Sequence, residues 1–278
     1  MIIEVLKFLM YSILIVIISK YVLVKLLRNF AVNLNLSSKA VGNIAGIATS
    51  IPELLTVSFS TFAGLISTSI FNIISSNTIN LCQYLLAVFF NKNQKQLKNK
   101  GLRIELLIVL FTILIPVSML ILNIDFEIQI VPIFILLFIF FYYINSNLHK
   151  LYFKKEDEKI YNEQNNDKKN LKKSKIFIII KYTIYLLITS IILYWIGDKL
   201  SLVLEELAEI FNIPEIILGI ALGFITSLPE LITFFESQRH HKDEQTEGIV
   251  EATNNLLASN MLNLFIIQSI GIIITKLA

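Results

Sequence analysis

Gly46-Ile47-Ala48-Thr49-Ser50-Ile51-Pro52-Glu53-Leu54-Leu55-Thr56 and Gly223-Phe224-Ile225-Thr226-Ser227-Leu228-Pro229-Glu230-Leu231-Ile232-Thr233 are two copies of one pattern. Gly, Thr, Ser, Pro, Glu, Leu and Thr recur at identical spacing. A second pair of motifs follows in the same order. Asn72, Ser76 and Asn80 stand at i, i+4 and i+8, as do Asn255, Ser259 and Asn263, and Ser76-Asn77-x-x-Asn80 matches Ser259-Asn260-x-x-Asn263. Two motifs repeated in order mark a duplicated unit.

Both copies are embedded in apolar sequence. Of 278 residues 55% are hydrophobic and only 16% charged, with a mean hydropathy of +0.70. Soluble chains carry about 25% charged residues, so a water-soluble enzyme is excluded. A membrane-crossing helix needs roughly 20 apolar residues. Eight stretches qualify, approximately Val5–Leu27, Val41–Leu65, Ser67–Phe90, Leu102–Leu122, Ile128–Ile144, Ile176–Trp195, Pro214–Phe235 and Gly248–Ile274. The fold class is therefore an all-α polytopic membrane protein. The first stretch is too long for a signal-peptide core, contains Lys20 and Lys25, and is expected to be retained. Ser201–Phe211 reads as an interfacial extension of the sixth.

Lys and Arg between the stretches set the topology. They cluster after the first (Lys25, Arg28, Lys39), the third (Lys92, Lys95, Lys98, Lys100, Arg103), the fifth (Lys150 to Lys175) and the seventh (Arg239, Lys242). The alternate connections hold only Lys199, with Asp125, Glu127, Asp198, Glu205, Glu206 and Glu209. The expectation is an N-terminus outside the cell membrane, with the basic loops in the cytoplasm. The polar stretch 146–175 becomes a cytoplasmic linker between a first membrane repeat, 1–145, and a second, 176–278, with the duplicated units at about 41–90 and 214–274. An odd number of crossings separates the two copies, so they run in opposite directions. Inverted repeats place equivalent residues about a pseudo-two-fold axis near the midplane.

The chemistry follows from residue type. Pro52 and Pro229 have no N–H, which leaves the carbonyls of Ala48 and Ile225 without helical donors. Free carbonyls at membrane depth are tolerated only against protein or a cavity. Thr49 and Ser50 share a helix face with Glu53. Placing a carboxylate at the bilayer centre costs at least ~2.5 kcal/mol, so two of them require a reason. Carboxylates, hydroxyls, amides and carbonyls, without imidazole or thiolate, suit a hard cation: Ca²⁺ first, Na⁺ or H⁺ as competitors.

The paired Thr-Ser-x-Pro-Glu-Leu motifs, each followed by Ser-Asn-x-x-Asn, resemble the α-repeats of the sodium/calcium exchanger family, within the cation/Ca²⁺ exchanger superfamily. The resemblance is specific in segments two, three, seven and eight. It implies an inverted-repeat antiporter moving Ca²⁺ against Na⁺, or against H⁺ in some branches, with no cofactor beyond the transported ions. It implies Ca²⁺-ligating carboxylates at Glu53 and Glu230, hydroxyl ligands at Thr49, Ser50, Ser76, Thr226, Ser227 and Ser259, and carbonyl ligands at Gly46 and Gly223. Asn80 and Asn263 complete the ion-binding set; Asn263 stands where many sodium-coupled members have Asp. Phe71, Ser75, Asn254 and Ala258 replace glycines usual in the family, which predicts looser helix approach there. The family has ten helices, and this sequence stops two short. The expectation is a truncated product, or completion by self-association or a second chain.

Other signals are weaker. His240 and His241, beside Asp243, Glu244 and Glu247, read as a solvated loop. Lys20 and Lys181 are expected to snorkel, and the aromatic residues of the fourth and fifth segments to face lipid. The lone Cys82 excludes a disulfide within the chain, and the net charge of +3 with no basic helix face excludes nucleic acid as partner. No phosphate-binding loop or nucleophile elbow occurs, so neither an ATP-driven pump nor a membrane hydrolase finds support. The rivals are a Ca²⁺/H⁺ antiporter using the same residues and a degenerate, non-transporting membrane subunit.

Overall fold

The computed structural model of the chain describes residues 2–34, 36–152, 172–240 and 245–277. Eight helices are long and apolar enough to cross a membrane: α1 (Ile2–Leu27), α2 (Ser38–Phe62), α3 (Ile66–Phe90), α4 (Lys100–Ile121), α5 (Ile128–Asn147), α6 (Phe177–Ala208), α7 (Glu215–Arg239) and α8 (Thr246–Leu277). Most of the linker 146–175 and the loop after His240 lie outside the described residues.

Local chemistry sets the ends. Ser37 caps α2, its Oγ accepting the Ala40 N–H at 3.3 Å, and Asn99 caps α4 by accepting the Gly101 N–H at 2.8 Å. After α3, α4 and α6 the chain turns through left-handed Lys92, Asn123 and Asn212, with φ of 58°, 52° and 48°. Asparagine tolerates that region better than most residues, which suits two of the three helix stops.

Packing crosses between the repeats. One apolar cluster joins α1, α2, α6 and α7 through Ile15, Leu23, Ala48, Leu193, Leu200, Leu204 and Leu222. A second joins α3, α4, α5, α7 and α8 around Tyr84, Phe134, Phe234 and Phe265. Large side chains such as Leu136, Phe177 and Ile191 point outward, where lipid replaces water as the apolar solvent. One expectation is met and one corrected here. The stretch 201–211 extends the sixth segment in one continuous helix, Lys172–Phe211, and Val203, Leu204 and Leu207 on it are buried. Phe134 and Phe141 of α5 do not face lipid, because Phe265 of α8 takes them up at ring distances of 5.8 and 5.9 Å. Phe140, Tyr142 and Tyr143 remain outside.

The predicted loosening of helix approach is also overturned. A Cβ at Gly219 would stand 2.8 Å from Phe71 Cβ, and one at Gly223 would collide with Ser75 Oγ. In the other repeat, a Cβ at Gly46 would stand 2.8 Å from Ala258 Cβ and one at Gly42 3.1 Å from Asn254 Cβ. Each larger residue in α3 or α8 thus meets a glycine of α7 or α2. Close approach needs a small residue on one side of the contact only, which single-sequence inspection of one helix does not reveal. Gly46→Leu or Gly223→Leu should overpack this contact at roughly 1–3 kcal/mol and lower the thermal midpoint in detergent. The lipid-facing Ile47→Leu should leave it unchanged.

Candidate ion site

Both motif-bearing helices are broken at the same place. The first half of α2 (Ser38–Thr49) stops at Ser50, with φ −81° and ψ 0°, and the second half runs Ile51–Phe62. In α7, Glu215–Thr226 stops at Ser227, with φ −80° and ψ −4°, before Leu228–His240. Proline explains the break twice over: it withdraws a donor from the half-helix behind it, and fits the first turn of the half-helix ahead. Glu53 and Glu230 consequently lie in first turns, where the positive end of the helix dipole favours a carboxylate. The carbonyl ends of the preceding halves face the same level, an arrangement suited to a cation.

The side-chain contacts that join the helices of the site occur in pairs. Ser76 Oγ donates to Glu53 Oε1 at 2.8 Å, and Ser259 Oγ to Glu230 Oε1 at 3.2 Å. Across the repeats, Ser76 meets Ser227 at 2.9 Å and Ser259 meets Ser50 at 2.9 Å. Asn80 Nδ2 reaches Ser259 Oγ at 3.4 Å and Asn260 Oδ1 at 3.2 Å; Asn263 Nδ2 reaches Ser76 Oγ at 3.4 Å and Asn77 Oδ1 at 3.1 Å. Asn77 and Asn260 exchange side-chain-to-backbone bonds, 3.1 Å one way and 3.0 Å the other. Asn72 Nδ2 donates to Thr56 Oγ1 at 2.7 Å, and Asn255 Nδ2 likewise to Thr233 Oγ1. The sequence reading assigned no site role to Asn77, Asn260, Asn72, Asn255, Thr56 or Thr233. Their signal was present, since each recurs at the same place in both repeats.

What these bonds leave over decides the chemistry. Thr49, Ser50, Glu53, Ser76, Asn80, Thr226, Ser227, Glu230, Ser259 and Asn263 are all essentially buried. Glu53 Oε2, Asn72 Oδ1 and Asn80 Oδ1 in one repeat, and Glu230 Oε2, Asn255 Oδ1 and Asn263 Oδ1 in the other, have no hydrogen-bond donor among the described residues. Thr226 lies beside the Glu53 carboxyl and Thr49 beside that of Glu230. Each hydroxyl also has a carbonyl of its own helix in reach, Leu222 O at 3.0 Å for Thr226 and Gly46 O at 3.3 Å for Thr49. It can therefore donate to the carboxyl, or turn its proton back and offer a lone pair to a cation. A buried acceptor left unsatisfied costs about 1–3 kcal/mol, and six of them in matched pairs form an oxygen cradle for a positive charge. Among the described residues no three His, Cys, Asp or Glu side chains group together, which disfavours a transition metal. Gly46 and Gly223 also lie at the closest helix contacts. The Gly46 carbonyl already accepts the Ser50 N–H at 3.2 Å and the Ser50 hydroxyl at 2.9 Å.

The family model for the sodium/calcium exchanger protein matches residues 5–147 and 181–278. The chain belongs to the sodium/calcium exchanger family. Its fold resembles solved structures of the sodium-calcium exchanger NCX_Mj, which address extracellular ion exchange and induced binding-site occlusion in that protein. One, soaked with 10 mM Na⁺ and zero Ca²⁺, matches at 23% identity over 99% of this chain and 84% of that one, with a TM-score of 0.55. Another, soaked with 100 mM Na⁺ and 10 mM Sr²⁺, matches at 20% identity over 99% and 83%, with a TM-score of 0.56. No curated protein sequence matches at a comparable level of significance. At these identities the likeness is one of fold, and the inverted pairing of broken helices makes this exchanger-family chain a multi-pass membrane transporter.

Proposed function

We propose that this exchanger-family member is a secondary-active antiporter that takes Ca²⁺ across the membrane in exchange for Na⁺, by alternating access to one midplane site. The observation that carries this reading is the set of six buried, donorless oxygens arranged in pairs across the repeats. Glu53 and Glu230 supply the charge, Thr49, Ser50, Ser76, Thr226, Ser227 and Ser259 supply hydroxyl oxygens, and Asn80 and Asn263 supply amide oxygens. The backbone carbonyls of Gly46 and Gly223 complete the set as the broken helices move. Ca²⁺ takes 6–8 oxygens in flexible geometry, a demand this donor set meets.

Purified protein in proteoliposomes tests the proposal. Radioactive Ca²⁺ uptake should follow an outward Na⁺ gradient and collapse when choline replaces Na⁺. Uptake driven by a pH gradient alone would replace this reading with Ca²⁺/H⁺ exchange, a reading favoured by the neutral Asn263. Folded protein that moves Ca²⁺ under neither gradient would be the non-transporting subunit.

The same proposal places the protein in the cell membrane, N-terminus outside. The lysine-bearing ends of the helices do lie together: Lys39 donates to Asn145 at 2.9 Å, and Asn93 to Gln238 at 3.0 Å. At the opposite end the Glu215 carboxylate accepts the Ser67 N–H at 2.9 Å. Cys82 is exposed, so the labelling experiment begins from Cys82→Ser. Asn166→Cys in that background should react with an impermeant maleimide only after the cells are opened. Labelling of intact cells would invert the orientation.

A further inference from the structure

Glu105, near the start of α4, plays no part in the exchange site, yet it is completely buried and neither carboxyl oxygen has a hydrogen-bond partner among the described residues. Its surroundings come from three other helices. Asn254 of α8 lies beside it, and the charge of Lys39, from the start of α2, acts on it. Tyr84 of α3 feels the Glu105 charge in turn. Several nearby donors are committed elsewhere. Lys39 Nζ holds Asn145 O at 2.9 Å and Asn145 Oδ1 at 3.0 Å. Asn254 Nδ2 donates to Val250 O at 2.9 Å. The Tyr84 hydroxyl pairs with Thr253 Oγ1 at 2.8 Å, whose own proton goes to Ile249 O at 2.7 Å.

A carboxyl so placed is satisfied by a cation or by a proton of its own. The Lys39 ammonium, whose charge is felt at Glu105, opposes a metal ion there. A proton needs only one of the two oxygens, and the Asn254 side chain set beside the carboxyl is an amide that can donate to the other. The location gives the proton a consequence. Asn254 directly precedes Asn255, and Tyr84 stands one helical turn beyond Asn80, so the cluster borders the exchange site on its lysine-rich side. Lys39 lies in the first turn of the half-helix Ser38–Thr49, which stops at Ser50. An ionised Glu105 draws the Lys39 ammonium toward itself, and a neutral one leaves it on Asn145.

We propose that Glu105 is a proton-binding site separate from the exchange site, filled from the lysine-rich side, whose occupancy decides whether Lys39 ties the first half of α2 to α5. The step is association of one H⁺ with one carboxylate oxygen; no electrons move. The other ionisable groups on the described elements packed around α4 include Glu247, Glu251 and Lys276 on α8, Cys82 on α3, Lys95 and Lys98 on the short turn before α4, and Tyr142 and Tyr143 on α5. Glu251 is turned toward α7, where its Oε1 accepts from Ser237 at 2.6 Å. Tyr142, Lys95 and Lys98 are exposed.

The inference rests on the proposed exchange only for its effect on flux, so the deciding measurement needs no transport. Infrared difference spectra of the purified full chain, taken across a pH titration, should show a protonated-carboxyl C=O band. That band should vanish in Glu105→Gln and persist in both Glu53→Gln and Glu230→Gln. In proteoliposomes Glu105→Gln should keep Ca²⁺ exchange but lose its dependence on pH at the lysine-rich face. Glu105→Asp, which retains a carboxyl, should restore a band and a pH response with a displaced midpoint. Should Glu105→Gln fail to fold, the Asp variant alone decides, through the displaced band. A carboxyl band untouched by either substitution, or a flux profile in Glu105→Gln identical to wild type, overturns the proposal.

Discussion

Glu53→Gln and Glu230→Gln should each abolish measurable Ca²⁺ transport while leaving a folded protein. Both carboxyls are buried, each is held by one serine of the neighbouring helix, and each keeps a second oxygen with no donor. Removing a desolvated charged ligand costs on the order of 3 kcal/mol, roughly a hundredfold in affinity. The real loss should be greater, because each carboxylate serves in both access states. Stability should move the other way. A glutamine amide keeps the oxygen that accepts from Ser76 or Ser259 and adds N–H donors where several oxygens lack one. Each new bond of that kind contributes about 1 kcal/mol. Both variants should therefore melt at or above the wild-type temperature in calcium-free buffer, and lose the upward shift that Ca²⁺ gives the wild type. Near-normal Ca²⁺ flux in either would remove the two glutamates from the site.

The second large effect concerns electrical coupling. With Asn80 and Asn263 neutral, the acidic groups of the site are Glu53 and Glu230, two negative charges at most. One Ca²⁺ balances them, as do two Na⁺. A third Na⁺ leaves an uncompensated charge at membrane depth, which is costly even with hydroxyl and carbonyl dipoles around it. Exchange in the wild type should thus run close to electroneutral, with little current when vesicles are clamped at different potentials. Asn263→Asp should create or enlarge that current. Asn263 Oδ1 already lacks a donor, so a carboxylate accommodates there without losing an acceptor. It forfeits only the Nδ2 contacts to Asn77 and Ser76, at 3.1 and 3.4 Å. Asn263 also lies in a π-helical turn, Leu262–Ile267, whereas Asn80 lies in regular helix. A robust wild-type current under Na⁺-driven Ca²⁺ exchange would show that fixed dipoles outweigh formal charge here.

Most of the architecture and half of the site were legible in the chain itself. Apolar run length is a one-dimensional property imposed by bilayer thickness, so eight spans could be counted without coordinates. Lysine asymmetry is equally local, and the duplication announces itself because the same residue types recur at the same spacing in both halves. The two glutamates stood out as a type that is costly in lipid and so needs a reason to be there, and the proposed hydroxyl ligands followed from the family resemblance. The long helix Lys172–Phe211 shows where this reasoning stops. The extension past residue 200 was legible, but the apolar cluster that takes up Leu200 and Leu204 also holds Ile15 and Leu23, distant in sequence.

Tertiary structure alone decided the rest, and the reason in each case is a contact between residues far apart in the chain. Phe71, Ser75, Asn254 and Ala258 looked like lost glycines until Gly219, Gly223, Gly42 and Gly46 were found opposite them. Which oxygens remain without donors could not be read from the motifs. Whether Asn80 or Asn263 offers an oxygen or a nitrogen depends on Asn260 and Asn77 of the other repeat. Glu105 follows Arg103 at the start of a span, the ordinary place for a solvated charge. Only the fold shows it completely buried, with neither carboxyl oxygen partnered among the described residues. Sequence determined that two carboxylates cross the bilayer on inverted repeats, since composition and periodicity report solvent and symmetry. Only the fold decided how their oxygens meet, since hydrogen bonds across repeats depend on distances that no local pattern records.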